Sequence, residues 1–450
     1  MNTSRRHFLG QTGALTASAL AASLGRWGIE SASAQAPTDY KALVCVFLFG
    51  GNDSNNMVIP YDDYGSYAAV RTNVNIPQAQ LLQISPPRAG ATFGLHPSFA
   101  AIKPLFDTGK LAVICNSGPL LAPITQADYR AGNFRPSNLF SHNDQQSAWQ
   151  GLLDGMAVRS GWGGRMSDRI DAVNAGATVP TVVSAAGSTL MTQGLSVGPF
   201  VIPQTGGVTL TGAGTDTLGR VRADGVRRLL GAPSGNSIVD KAANVLTTAL
   251  TTADAINPIL NATSPAIATA FTGLTTSIAN QLKQVARLIE GRSVLGAKRQ
   301  FFFVSLGGFD THSNELFVQG NLLGQLAPAL KAFYDATVAL GVSEKVTAFT
   351  MSDFSRTFVF NSTFGTDHAW GAHHLVLGGA VRGGDFYGRY PTLAVRGPDD
   401  AGNNGAWIPT TAVDQIGATL ATWLGVSSAD LGYIFPNIGR FATADLGFIS

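Results

Sequence analysis

The stretch Val346–His374, VTAFTMSDFSRTFVFNSTFGTDHAWGAHH, combines the pattern of a buried strand with residues that bind metals. It opens with an apolar, β-branched run and turns polar at Ser352 and Asp353. The following loop adds one more acid and three of the seven histidines of the chain: Asp367, His368, His373 and His374. Carboxylate oxygen and imidazole nitrogen are both metal donors. The stretch therefore predicts a strand that ends at a metal site.

Two other apolar runs also lead into an acid. Residues 42–49 (ALVCVFLF) precede a Gly-Gly break and Asp53, and residues 300–305 precede a second Gly-Gly break, Asp310 and His312. Continuous apolar runs are typical of central strands covered on both faces. Because ligands of open α/β sheets bind at the carboxyl ends of the strands, we expect Asp53, Asp310 and Asp353 to converge. For Asp53, an ordinary Gly-Asn-Asp turn explains the residues equally well.

The order of the elements predicts an α/β fold with a mostly parallel central sheet. A helix beginning near His96 connects the first apolar run to another strand at 111–115, which is a β-helix-β unit. Residues 180–298 are rich in Ala, Thr and Leu and contain no cluster of chemically active residues. We interpret them as an inserted helical cap, or alternatively as peripheral helix of the same domain.

Ser141 and Arg356 are the candidates for catalysis outside the metal ligands. Ser141 precedes a predicted helix, and on residue chemistry alone a helix cap completed by Asp144 is favoured over a nucleophile. Arg356 follows Asp353 closely and could either pair with a carboxylate or hold a substrate oxyanion.

The first residues predict export. Ser4-Arg5-Arg6-His7-Phe8-Leu9 has the twin-arginine pattern, an Ala-rich stretch follows, and Ala32-Ser33-Ala34 fits a cleavage site. We therefore expect a signal peptide at 1–34, a mature domain at 35–450, and a periplasmic or secreted protein that is a client of the twin-arginine export machinery. A short membrane anchor is the weaker alternative, and no other segment is apolar and long enough to be a stable membrane span.

Composition limits the partners and the redox chemistry. The net charge is only +2 and charged residues make up 13% of the chain, so nothing indicates nucleic acid binding. Cys45 and Cys115 are the only cysteines, and both lie in apolar runs. They could form a disulfide if their strands are neighbours, or remain two buried thiols.

Several motifs spread over residues 42–437 resemble one bacterial family, the domain-of-unknown-function family 1501. After the twin-arginine start, the resemblance is carried by FLFGGNDSNNMVIP, LAVICNSG, FSHNDQQSAWQ, LGGFDTHS, MSDFSRT, GTDHAWG and IFPN. That family is similar in pattern to the alkaline phosphatase-like superfamily of phosphatases, sulfatases and phosphoglycerate mutases. The resemblance implies a three-layer α/β domain with a two-metal site at the carboxyl ends of the strands.

The superfamily pattern also implies a role for each site residue. Asp53 corresponds to the first-strand acid and Ser141 to the hydroxyl nucleophile. The remaining ligand positions correspond to Asp310 with His312, to Asp353 or Asp367 with His368, and to His373 or His374. The implied function is a metal-dependent hydrolase of phosphate or sulfate esters, acting on a small-molecule or polymer substrate with one or two ions of zinc, manganese, magnesium or calcium. The alternative is a non-catalytic exported binding or scaffold protein with a degenerate metal site.

Overall fold

Three parallel strands form the centre of the structure, and each matches one of the apolar runs. In a computed structural model, which describes residues 39–152, 158–210 and 216–450, they are β1 (Lys41–Leu48), β8 (Arg299–Leu306) and β9 (Val346–Ser352). Strand β1 pairs in parallel with β8 on one side and with β9 on the other. Their carboxyl ends therefore lie side by side, as predicted. The signal peptide predicted at 1–34 lies outside the described residues.

The main sheet is mostly parallel. The other strands in chain order are β2 (Val58–Pro60), β3 (Leu82–Ile84), β4 (Phe93–Leu95), β5 (Leu111–Gly118), β6 (Val182–Ser184), β7 (Phe200–Val201), β10 (Arg356–Phe360), β11 (Thr366–His368), β12 (Ala372–Gly378), β13 (Phe386–Tyr387) and β14 (Thr411–Ala412). The main sheet has the order β13-β5-β12-β9-β1-β8-β6-β7, with β14 also paired to β5. Only β12 runs antiparallel to its neighbours in this sheet. Strands β10 and β11 form a separate antiparallel pair, and β2, β3 and β4 form a third small sheet.

Helices cover both faces of the main sheet. The thirteen α-helices that the structure describes are α1 (Ser54–Met57), α2 (Tyr64–Val70), α3 (Lys103–Asp107), α4 (Gln126–Ala131), α5 (His142–Gly151), α6 (Trp162–Ile170), α7 (Thr217–Leu230), α8 (Ser237–Asn261), α9 (Pro265–Ala270), α10 (Ser277–Glu290), α11 (Glu315–Ala339), α12 (Val413–Leu424) and α13 (Leu431–Ile434). Alternate residues of β1 enter two separate cores, one with α10 and α11 and the other with α6 and α12. This alternation explains why the strands are apolar throughout. Within the described residues, no helix combines the length and the apolar character that crossing a bilayer requires.

One local prediction needs correction, and for the two cysteines the structure has the alternative of buried free thiols. The helix expected from His96 is a 3₁₀ turn, Pro97–Phe99, followed by the short helix α3. Pro104 in the first turn of α3 lacks the N–H that a continuous helix would use, so the helix begins afresh there. Cys45 and Cys115 are both buried and free, because β9 and β12 separate their strands and the two thiols enter opposite cores.

The segment 180–298 is joined to the α/β fold at both ends. It begins with β6 and β7 at the edge of the main sheet, and it ends with α10, whose apolar face packs into the core beside α11. Only its middle part, α7 and the first half of α8, is almost entirely exposed.

Candidate metal centre

One carboxylate oxygen, Oδ1 of Asp310, is the point on which three histidines converge. The Nε2 atoms of His142, His312 and His368 lie 3.4, 3.1 and 3.3 Å from it. The Nε2 atoms of His312 and His368 are 3.0 Å apart. His142, Asp310 and His368 each offer a ligand atom within 4.8 Å of the other two. Ligands about 2.0 Å from a tetrahedral ion stand about 3.3 Å from one another, so these separations agree with those of a metal site.

Each of the three imidazoles is held through its other nitrogen. Nδ1 of His142 lies 2.7 Å from Oδ2 of Asp353, and Nδ1 of His312 lies 3.1 Å from Oδ1 of Asp367. Nδ1 of His368 lies 2.6 Å from the carbonyl oxygen of Phe140. Carbonyl and carboxylate oxygens accept hydrogen bonds, so each ring can donate from Nδ1, in the tautomer that leaves the Nε2 lone pair free. Metal-ligating histidines are oriented by such contacts, which leave the Nε2 lone pair for the ion.

The resulting arrangement is compatible with a cation at its centre. Three imidazole nitrogens lie around one carboxylate oxygen, and the Nε2 atom of His142 is buried without a hydrogen-bond partner. Burial lowers the pKa of His368, so this ring favours the neutral form that can donate its lone pair. An added proton would satisfy one pair of these atoms, whereas a divalent ion could take a ligand atom from each of His142, Asp310 and His368, which lie within 4.8 Å of one another. The donor set therefore fits a metal.

The buried side chain of Arg356 binds the carboxylate of Asp310 from the protein interior. Its Nη1 donates to Oδ1 of Asp310 at 2.8 Å, and the guanidinium also contacts the backbone of Gly50 and Thr366. Burial raises the pKa of the Asp310 carboxyl, but the hydrogen bond and charge of Arg356 outweigh it and leave this pKa below its usual value. The side chain of Arg356 is 0% exposed, whereas that of Asp310 is 46% exposed. Of the two roles predicted for Arg356, the structure shows pairing with a carboxylate.

The Gly-Gly break after β1 brings the loops of the site together. Gly50 has a φ of +112°, and a Cβ there would collide with the backbone of Asp310. Gly51 has a φ of +82°, and a Cβ there would enter the ring of Phe354. That ring packs against His142 and His368, with centroid distances of 4.9 and 4.7 Å. Only glycine combines these backbone angles with so close an approach.

Asp53 is directed to a different set of partners. Its Oδ1 accepts hydrogen bonds from the backbone and side chain of Asn55, and its Oδ2 pairs with Arg71, both side chains being fully buried. The carboxylate thus caps helix α1 and neutralises a buried arginine. Neither donor belongs to the histidine cluster. The predicted convergence of the three strand-end acids therefore joins Asp310 and Asp353 through His142, while the contacts of Asp53 lie elsewhere.

His373 and His374 lie in the interior on β12. They are 2 and 3% exposed, and burial lowers the pKa of each to about 3. The ring of His373 stacks on Tyr390, and that of His374 packs against Trp149. These ring contacts are to aromatic side chains, and the contacts shown for the two histidines do not include Asp310, Asp353 or Asp367. The sequence predicted them as ligands, but both lie on a buried strand that directs their side chains into the protein interior.

Ser141 occupies the N-cap position of α5. Its Oγ accepts a hydrogen bond from the backbone N–H of Asp144 at 3.5 Å, and the residue is partly exposed. The structural part of the prediction, a helix cap, is therefore present. The next residue along the chain is His142, so the hydroxyl stands at the same helix end as one of the converging imidazoles.

Sequence reasoning missed His142, although the motif that contains it was singled out. Its helical spacing to Gln146 was the available signal, because residues four apart share a helix face and both contact Oδ2 of Asp353. Glu315 was also missed. Burial raises its pKa to about 7, and its Oε2 accepts a hydrogen bond from Thr366 beside Arg356. A lone glutamate at the start of an apolar helix gives no comparable sequence signal.

Comparison with known families identifies the family to which the chain belongs. Residues 40–405 match the model of a family described as protein of unknown function (DUF1501), which covers most of the chain. The chain therefore belongs to that family, as the motifs predicted. The match includes every residue of the histidine cluster.

Proposed function

We propose that this member of the DUF1501 family is an exported metal-dependent hydrolase of phosphate or sulfate esters, built on an alkaline phosphatase-like α/β fold. The observation that carries the proposal is the convergence of three Nε2 atoms on Oδ1 of Asp310, with every Nδ1 anchored to an oxygen. The cluster is also open to solvent, since the side chains of Asp310 and His312 are each 46% exposed. A purely structural metal site is closed, whereas a catalytic one keeps a position for substrate.

The donor set narrows the choice of ion. Three imidazoles and one carboxylate suit zinc or manganese better than magnesium or calcium, which take oxygen ligands. When bound, such an ion would polarise an ester oxygen and lower the pKa of a nucleophile. His142, His312, His368 and Asp310 would hold it, and Asp353 and Asp367 would keep two of the rings in position. One ion is sufficient for this set of ligands.

The chain itself supplies the remaining parts of an ester site. Helix α5 begins at His142, so the positive end of its dipole favours an anionic substrate group at this helix end. Ser141, at the same helix end, is the proposed nucleophile: its oxygen attacks phosphorus or sulfur while the bond to the ester oxygen breaks and the alcohol leaves, and water then hydrolyses the serine ester to release phosphate or sulfate. Arg356 is a positioning residue, because its buried guanidinium holds Asp310 and has no exposed surface to offer a substrate.

A second candidate function is a non-catalytic metal-binding protein of the exported compartment. Two observations favour it: both oxygens of Asp53 are occupied by Asn55 and Arg71, and the Ser141 hydroxyl accepts a capping hydrogen bond. A site with one ion and no nucleophile would bind its ligand without turning it over.

The deciding experiment measures metal content and turnover on the same preparation. Elemental analysis of the purified protein should find about one zinc or manganese per chain. Aryl phosphate and aryl sulfate should be hydrolysed, and a chelator should stop the reaction until metal is restored. The variant His312→Gln should lose both properties. The control His96→Gln, a buried histidine whose Nδ1 caps the turn at Ser98, should keep both.

The outcomes separate the two functions. Metal that depends on His312, without turnover of either ester class, supports the binding protein and rejects the hydrolase. Turnover that persists in metal-free protein and in His312→Gln rejects both. The proposed export is tested separately, by the cellular fraction in which the protein is found when Arg5 and Arg6 are replaced by lysine.

A further inference from the structure

The helical arm, α7 with residues 237–250 of α8, exposes more apolar surface than a helix pair of its size should. Of residues 216–251, all of which the structure describes, only Gly219 is buried. Seven large apolar side chains in the arm are exposed by 38 to 78%: Leu218, Val221, Leu229, Ile238, Val239, Val245 and Leu246. Contiguous apolar surface of this kind marks a binding surface. The arm therefore lacks a core of its own and needs something to cover it.

The exposed residues of α7 form one stripe. Leu218, Val221 and Leu229 are 56, 61 and 76% exposed, and intervals of 3 and 11 residues bring them to the same side of the helix. The opposite side of α7 turns to α8, where Arg227 pairs with Asp254 at 2.8 Å and Ala223 lines a groove with Leu250. The stripe thus faces away from the protein.

The charged residues beside the stripe indicate which kind of partner covers it. Helix α7 contains four arginines and a single aspartate, Asp224. By helical position, the exposed Arg222 lies about 40° to one side of Leu218 and the exposed Arg228 about 80° to the other. An apolar stripe between basic residues is the pattern of a helix that lies in a membrane interface, where the aliphatic side chains enter the acyl boundary and the guanidinium groups reach the headgroups.

A second copy of this chain is a poorer occupant. A two-fold interface through α7 would bring the arginines that flank the stripe in both copies into one interface, and like charges across an interface repel. An anionic surface has the opposite relation to these residues. We propose that the helical arm docks this protein on an anionic lipid surface through Leu218, Val221 and Leu229, with Arg222 and Arg228 at the headgroups.

The test is co-sedimentation of the full chain with lipid vesicles. The protein should bind vesicles of phosphatidylglycerol and phosphatidylcholine in equal parts, should bind pure phosphatidylcholine much more weakly, and should be released by salt. The variant Leu218→Ser/Val221→Ser/Leu229→Ser should reduce binding by about 100-fold or more, because it removes the inserted apolar surface. The variant Arg222→Gln/Arg228→Gln should reduce it by about 30-fold.

Matched controls remove equivalent residues elsewhere. Leu195→Ser/Val294→Ser/Phe317→Ser replaces side chains that are 66, 79 and 65% exposed, and Arg130→Gln/Lys345→Gln removes two exposed charges. Both controls should bind as the unchanged chain does, and all variants carry the same residues 1–38. Equal binding to both vesicle types, equal losses in the controls, or a dimer in solution that only the α7 variants dissolve would each overturn the proposal.

Discussion

Two groups of histidines occur near the carboxyl end of the central sheet, and they differ in almost every physical respect. In the cluster of His142, His312 and His368, each Nδ1 faces a carbonyl or carboxylate oxygen and each Nε2 lies 3.1 to 3.4 Å from Oδ1 of Asp310. In His373, by contrast, Nδ1 accepts a hydrogen bond from the backbone N–H of Asn116. The rings of the cluster are partly exposed, whereas His373 and His374 are buried. Ligand character thus depends on the direction of a lone pair and not on the number of histidines nearby.

The two groups of histidines also differ in their electrostatic environment. Burial without a charged partner keeps His373 and His374 neutral, so they behave as polar members of an aromatic core. The cluster instead gathers three imidazole nitrogens around one partly exposed carboxylate oxygen. The same contrast separates two aspartates: Asp53 is buried and paired with Arg71, and Asp310 is half exposed among the histidines.

The largest expected effect comes from exchanging the two aspartates for asparagine in turn. Asp53→Asn leaves the charge of Arg71 buried and unpaired, which should lower the free energy of unfolding by about 3–5 kcal/mol while metal content is unchanged. Asp310→Asn should abolish metal binding. It also removes the carboxylate partner of the buried Arg356, but solvent reaches that ion pair and Arg356 keeps its backbone acceptors, so the cost in stability should be smaller. Denaturant unfolding and elemental analysis measure both quantities. If Asp53→Asn loses metal as Asp310→Asn does, Asp53 is a ligand and the contrast between the two aspartates fails.

The next effect is the pH dependence that the two buried histidines give to the free energy of unfolding. The folded-state pKa values of His373 and His374 are about 3, below the usual 6.5, so the unfolded chain binds more protons between these values. Stability is therefore fully present above pH 6.5 and falls as the pH drops, by about 1.4 kcal/mol per pH unit for each histidine. His374→Gln should reduce this slope by that amount.

The measurement compares unfolding free energies of the two proteins between about pH 4 and 6.5, with chelator present so that metal release does not contribute. Glu315 and Asp414, whose raised pKa values near 7 act with the opposite sign, are the same in both proteins and cancel in the difference. Identical slopes would show that His374 is not held neutral, and its assignment to the core would be wrong.

A smaller effect should follow from loosening one ring of the cluster. Asp367 contacts His312 but lies outside the converging atoms, so Asp367→Asn should weaken metal binding about 10–100-fold and leave stability almost unchanged. Asp107→Asn removes a surface carboxylate that pairs with Lys103 and serves as the control for lost charge. Titration of the metal-free proteins with zinc measures the affinities. Equal affinity in the Asp367→Asn and Asp107→Asn variants would mean that the ring of His312 is positioned by other contacts.

The sequence predicted the central strands well because their physical signal is local. Each of β1, β8 and β9 is buried on both faces, and a strand buried in this way can be recognised from a continuous apolar run. The site was predicted in part for the same reason. Acids after parallel strands must lie at one edge of the sheet, so Asp310 and Asp353 were placed correctly at that edge.

The remaining site residues depend on contacts that no local pattern encodes. His142 reaches Asp353 across more than 200 positions of the chain, and Asp53 leaves the cluster because Arg71 provides a buried charge partner. His373 and His374 are adjacent in sequence to the loop of His368, yet β12 is already a core strand at that point. Proximity in sequence predicted that His373 and His374 are ligands, but strand β12 directs both side chains into the protein interior.

Ser141 gives a small expected effect on stability and the sharpest expected effect on function. Removing its capping oxygen in Ser141→Ala should cost about 1 kcal/mol of unfolding free energy. Metal content should be unchanged, because Ser141 itself contributes no ligand atom. Under the proposed hydrolase mechanism, ester turnover should disappear. Ser141→Asn is the matched control, since asparagine caps helices as well as serine does but has no hydroxyl to attack an ester. Stability should therefore return in Ser141→Asn while turnover stays absent. Full turnover in both variants would assign the attack to water, and turnover restored by asparagine alone would reduce Ser141 to a helix cap beside His142.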